Sequence, residues 1–138
     1  WFLQLGGSPL SWKTSKHDRV SMSSCEAEYR AMVDTVKEIM WPRQLLSTLG
    51  IDCSHLTILY SDSLSAIKLA ANPVFHARTK HVGRDCHFVR DEITRGAFTP
   101  KHVSTTSQLA DILTKALGKR EFEAFLCKLG VYDLQIPP

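Results

Sequence analysis

No stretch of this 138-residue chain is apolar for the length that crossing a bilayer requires, about 20 residues. No basic-then-apolar leader precedes a cleavage site either. No Cys-x-x-Cys pair occurs: Cys25, Cys53, Cys86 and Cys127 lie far apart, which argues against a disulfide framework. That spacing predicts mostly buried thiols in a reducing, intracellular compartment. Internal repeats and low-complexity tracts are absent. A strong excess of one charge is absent too, since 17 Lys and Arg stand against 14 Asp and Glu. A net charge of +3 does not by itself establish a nucleic-acid partner. Methionine does not start the chain; Trp1 does, inside a strand-like segment, and a piece of a longer protein is the expectation.

What is present is the composition of one folded domain, 43% apolar and 22% charged, with enough residues for a real core. "WFLQL" and "SPLSWKT" flank Gly6-Gly7 and predict a hairpin. "RVSMS" reads as a third short strand, with Val20 and Met22 alternating against polar neighbours. A helix is expected over 25–49, because Tyr29, Met32, Val33, Val36, Ile39 and Met40 follow helical spacing. Pro42 should kink or split that helix, and Gly50 should close it. "LTILY" reads as a buried strand, 62–71 as a helix broken by Asn72-Pro73, and "AFTPKHV" as a strand. Between them, 79–95 predicts a helix burying Val82, Cys86, Val89 and Ile93. "SQLADILTKAL" and "REFEAFLCKL" predict two closing helices around Gly118. The order predicts an α/β domain over residues 1–132, a sheet with an antiparallel N-terminal hairpin and helices packed on it, then a tail at 133–138.

Carboxylates decide what such a fold can do. In "SSCEAEYRAM" Ser23 and Glu26 satisfy the S-x-x-E capping box, and Glu26 has Arg30 four residues on. Glu28 has no such role by spacing, with Ala31 and Thr35 as its i+3 and i+7 neighbours. Asp62 follows "LTILY", where it can be a helix N-cap or a carboxylate held at a strand end. Asp111 stands near a helix start; Thr105 and Gln108 already supply a capping box there. Taken singly, each acid has a plain structural reading as a flank, a cap or a dipole partner. Together, one Glu and two Asp at the starts of sheet-packed helices resemble the carboxylate sets that hold paired Mg²⁺. Two such ions, about 3.5–4 Å apart, can activate water and stabilise the leaving oxygen of a phosphodiester.

The stretches "GGSPLSWKTSKH", "VSMSSCEAEYRAM", "YSDSLSAIKLAANPVFHARTKHV", "HFVRDEI" and "QLADILTKAL" resemble, in order, the ribonuclease H domain that ends the Pol polyprotein of copia-type LTR retrotransposons. The resemblance implies a ribonuclease H-like fold with a mixed sheet. It implies hydrolysis of the RNA strand of RNA–DNA hybrids during reverse transcription, and an upstream reverse transcriptase part in the same polyprotein. Glu28, Asp62 and Asp111 match the family's catalytic, metal-binding positions, for two Mg²⁺ with Mn²⁺ as a substitute. The family's first aspartate lies on an opening strand upstream of Trp1, so the fragment is expected to be inactive alone. His102 precedes the loop where cellular relatives carry a histidine and is not assigned that role. "HVGRDCHF" and Pro42 depart from the family pattern, and Gly83 weakens a helix interior by about 1 kcal/mol. These departures leave an alternative: a degenerate, non-catalytic nucleic-acid-binding or structural relic.

Arg78, Lys80, His81, Arg84, His87 and Arg90 gather in one helical stretch that suits phosphate backbones. Arg78, Lys80, His81 and Arg84 are the candidate nucleic-acid contacts. Asp85, Asp91 and Glu92 offset part of that charge, so a solvated helix face is the competing reading. His76, His81, Cys86 and His87 also raise zinc, but their spacing is unlike a zinc motif and Cys86 falls on the apolar stripe.

Overall fold

A reciprocal cap starts the longest element. The Ser23 hydroxyl accepts the Glu26 N–H at 3.1 Å, and the Glu26 carboxylate accepts the Met22 N–H at 2.9 Å, one residue earlier than a standard capping box. The computed structural model describes residues 1–14, 20–72 and 83–131, with the side chains at 83–86 excluded. Its elements are β1 (Phe2–Leu5), β2 (Ser8–Trp12), α1 (Ser24–Thr48), β3 (Thr57–Ser61), α2 (Leu64–Ala71), α3 (Gly83–Thr94), β4 (Phe98–His102), two 3₁₀ turns (Thr105–Ser107 and Leu109–Leu113) and α4 (Lys119–Leu129). The chain divides into two units, one of Trp1–Lys16 with Thr105–Pro138 and one of His17–Ser104.

In the His17–Ser104 unit, α1 buries Tyr29, Met32, Val33, Val36 and Ile39, the stripe that its spacing predicts. Ala66, Leu69 and Ala70 of α2, Val89 of α3 and Phe98 of β4 complete the core. Strands β3 and β4 pair in parallel, Thr57 opposite Phe98 through Ser61 opposite His102. A parallel pair needs a long crossover, which here contains α2 and α3. Gly96 makes the turn from α3 into β4. At φ 72° it lets Ala97 donate back to the Glu92 carbonyl at 2.9 Å, a Schellman closure that a β-carbon would strain.

Arg43 fixes the approach to β3. Its guanidinium donates to the Cys53 carbonyl at 2.6 Å, and to the His55 carbonyl and Thr57 hydroxyl at 3.0 Å each. Three bonds from one side chain of α1 thus tie down the segment that leads into the strand. Within that segment the Asp52 carboxylate accepts the Ser54 N–H at 2.8 Å and its hydroxyl at 2.9 Å. The backbone bond first, then the hydroxyl, lowers the Asp52 pKa from its ordinary 3.8. A lowered folded-state pKa means that the contribution holds above the carboxylate range and fades as the pH falls through it.

The other unit carries the hairpin. Gly6 (φ 59°) and Gly7 (φ 85°) form the two-residue turn that a right-twisted ribbon favours. The ladder runs from Phe2 opposite Trp12 to Leu5 opposite Ser8, with an irregularity between Leu3 and Gln4. Helix α4 buries Phe125 and Leu129, and the Lys128 ammonium reaches the Thr106 carbonyl at 2.9 Å.

Five expectations are corrected. Val20 and Met22 form no strand and stand 94% and 83% exposed, with no partner ladder over them among the described residues. α1 runs through Pro42 unbroken, held by the buried stripe before it and by Arg43 after it. "LTILY" is buried on one side only: Leu59 is buried while Ile58 and Tyr60 are exposed, as befits a strand in a two-stranded sheet. The described strands form two separate ladders, not one mixed sheet, because the glycine turn lets the hairpin satisfy its own pairing. The described cysteines are not buried: Cys25 and Cys53 are half-buried and Cys127 exposed, all three as free thiols. Val82 and the side chain of Cys86 lie outside the described residues.

Arg43→Leu should lower stability by about 2–3 kcal/mol, the scale of charged hydrogen bonds to an anchored loop. Urea denaturation would show this as a lower midpoint at unchanged slope. A loss below about 0.5 kcal/mol would mean that the loop holds itself.

Candidate carboxylate site

Two of the three candidate acids, Glu28 and Asp62, stand close to residues that take the local helical task. On the first turn of α1, Glu26 makes the cap and pairs with Arg30 at 2.6 Å. Glu28, two residues on, lies exposed on the same turn. Asp62 sits half-buried directly after β3, in the loop that leads into α2. The N-cap of α2 is Ser63, whose hydroxyl accepts the Ala66 N–H at 3.2 Å, so the capping reading of Asp62 is replaced. The Ser63 N–H is itself held by the Ser61 hydroxyl at 3.2 Å, which fixes the backbone on both sides of Asp62. Because β3 and β4 are parallel, their carboxyl ends lie side by side, with Ser61 opposite His102. The carboxyl ends of parallel strands are where α/β sheets place ligand sites.

Asp111 belongs to the other unit. "SQLADILTKAL" forms two 3₁₀ turns in place of the expected α-helix. Gln108 is the N-cap of the second turn, without a side-chain cap bond of its own there. Asp111 is 7% exposed, and its carboxylate lies 2.7 Å from the Lys115 ammonium. A buried carboxylate needs such a partner. The i,i+4 spacing of Asp111 and Lys115 was the sequence signal for this pair, and it was not read as one.

Among the described residues, no group of three or more His, Cys, Asp or Glu side chains could hold a metal ion. By donor chemistry Glu28, Asp62 and Asp111 do suit Mg²⁺, being hard oxygen ligands. Asp111 already accepts a cationic group, the Lys115 ammonium.

Of the basic stretch, Arg78, Lys80, His81 and the side chain of Arg84 lie outside the described residues. Arg90 spends a bond on structure, donating to the Asn72 carbonyl at 2.7 Å near the end of α2. Of the zinc alternative, only the exposed His87 side chain is described. Among the described residues, no helix is long and apolar enough to cross a membrane.

A parallel strand pair with acids at the carboxyl end of β3 and on a helix start defines a mixed α/β protein. Comparison with known proteins narrows this. The chain is 45% identical over all 138 residues to a retrovirus-related Pol polyprotein from transposon RE2 of Arabidopsis thaliana. It is 44% identical over the same length to that from transposon RE1 of the same plant. Over 128 residues, 93% of the chain, it is 35% identical to that from transposon TNT 1-94 of Nicotiana tabacum. The chain spans 9% of the length of each of these relatives. No family model and no solved structure matches it.

Ser63→Ala should cost about 1 kcal/mol through the lost cap. Asp62→Asn should cost less, and paired thermal melts would show which residue starts α2.

Proposed function

We propose that this chain is a ribonuclease H-like domain of a transposon Pol polyprotein, acting on the RNA strand of RNA–DNA hybrids. The reading is carried by a division of labour: Ser23 with Glu26 caps α1, and Ser63 caps α2, close to Glu28 and Asp62. Similarity over the whole of this chain to retrovirus-related Pol polyproteins supports the polyprotein part of the reading. Glu28, Asp62 and Asp111 would hold Mg²⁺, with Mn²⁺ as a substitute. When bound, the metal pair supplies an activated water and a stabilised leaving oxygen. The chain contributes hard oxygen donors and a rigid backbone about Asp62. An upstream reverse transcriptase part of the same polyprotein would be its partner, and Arg78, Lys80, His81 and Arg84 would meet the hybrid's phosphates.

A second reading, a relic that no longer cuts, is favoured by two observations. No metal-holding group occurs among the described residues, and the Asp111 carboxylate is engaged by Lys115.

A chain extended upstream through the family's aspartate-bearing strand separates the two. The nuclease reading expects Mg²⁺-dependent cleavage of a labelled RNA–DNA hybrid, falling to background in Asp62→Asn. If Asp62→Asn cuts as fast as its parent, the site is wrong. Salt-dependent hybrid binding with no cleavage in the parent would establish the relic.

A further inference from the structure

Helix α1 carries apolar residues on two opposite sides. Its inner side buries Tyr29, Met32, Val33, Val36 and Ile39. On its outer side Asp34, Glu38, Trp41, Leu45 and Leu49 follow one another at steps of three and four residues, which keeps them on one stripe. The stripe changes character midway, acidic at Asp34 and Glu38 and apolar from Trp41 onward. Trp41 is 66% exposed, Leu45 44% and Leu49 66%, and Ile51, just past the helix, is 51% exposed. The outer side of a surface helix is ordinarily polar. An exposed apolar cluster with a polar border, and a tryptophan in it, is the mark of a protein interface. Neither Asp34 nor Glu38 spends its charge on an ion pair among the described residues, and Lys37 lies off the stripe.

Three observations select the occupant. The acids repel phosphates, which disfavours a nucleic acid. They also disfavour a second copy: packed parallel, Glu38 would meet the partner's Glu38, and packed antiparallel it would approach the helix end where Asp52 adds negative charge. Four side chains cover far less than the about 800 Å² per partner that a free-standing interface buries. So small a patch suits a partner on the same polypeptide, because a tether supplies a high effective concentration. The chain spans 9% of the length of the Pol polyproteins it is similar to. We infer that the Trp41–Leu45–Leu49 side of α1 is a docking surface for another part of the same Pol polyprotein, one presenting an apolar patch bordered by Lys or Arg. The inference rests on the polyprotein part of the proposed function and not on its nuclease part. The apolar residues supply the contact, and Asp34 and Glu38 fix its register by meeting the partner's cations.

Hydroxyl-radical footprinting read by mass spectrometry, on the isolated chain and on the intact Pol polyprotein that carries it, tests this. Trp41, Leu45 and Leu49 should lose reactivity severalfold in the polyprotein, while Met22, 83% exposed and off the stripe, keeps its own. Equal labelling of Trp41 in the two overturns the inference, and so does a loss at Met22 as large as that at Trp41. In the polyprotein carrying Glu38→Lys, Trp41 should regain most of the reactivity it has in the isolated chain. Unchanged protection there overturns the cationic partner. Sedimentation of the isolated chain should be the same for wild type and Leu45→Lys. Association that Leu45→Lys disperses would give the stripe to a second copy and overturn the inference. Hybrid cleavage by the same polyprotein is scored apart: no cleavage with Trp41 protected sinks the nuclease reading and leaves the docking surface standing.

Discussion

The His17–Ser104 unit depends on one guanidinium. Arg43 leaves α1 just after Pro42 and takes up two loop carbonyls and the Thr57 hydroxyl. Those carbonyls belong to an irregular segment with no ladder to bond to, so the arginine satisfies groups that would otherwise need water. Bonds to a charged donor are among the stronger ones a protein makes. Through them the start of β3 is set against α1, and β3 in turn carries Ser61, Asp62 and Ser63 into place. The side chain with most influence on the candidate acid is therefore far from it in sequence and carries no chemistry itself.

Around Glu28 and Asp62, the bonds that start the helices are made by neighbouring residues. Glu26, Ser61 and Ser63 build helix starts and hold backbone, while Glu28 and Asp62 sit next to them without supplying the caps. Glu92 shows the other outcome for a buried acid. It is 3% exposed, and one oxygen meets Arg95 at 2.5 Å while the other has no hydrogen-bond partner among the described residues. It lies on the core-facing side of α3 among Val89 and Ala97, an ion pair built into the packing.

Much of this was legible in the residues. The stripe from Tyr29 to Ile39, the Gly6-Gly7 turn, the strand candidates "LTILY" and "AFTPKHV", and the Ser23–Glu26 cap follow from local spacing, and local spacing is what the backbone obeys there. What failed depended on distant partners. Val20 and Met22 alternate like a strand, but alternation is worth nothing without a neighbour to pair with. Ile58 and Tyr60 read as buried, but burial depends on how many strands the sheet holds. The run around Asp111 has helical periodicity, yet tightens into 3₁₀ turns, which propensity alone does not distinguish. For the acids, local spacing left Asp62 open between a cap and a strand-end carboxylate, and the structure gives the cap to Ser63. The i,i+4 spacing of Asp111 and Lys115 marks their pair in the sequence, while the burial of Asp111 is a property of tertiary packing.

The half-solvated face of β3 has a practical consequence for handling. Ile58 and Tyr60 stand 47% and 52% exposed on a strand that pairs on one edge with β4. Among the described residues β3 has no strand on its other edge, and an exposed apolar row at such an edge is a surface on which strands from other molecules can pair. Concentrated solutions of the chain will therefore be prone to self-association through this sheet, and a lysine at position 58 or 60 would act as a gatekeeper that keeps it dispersed.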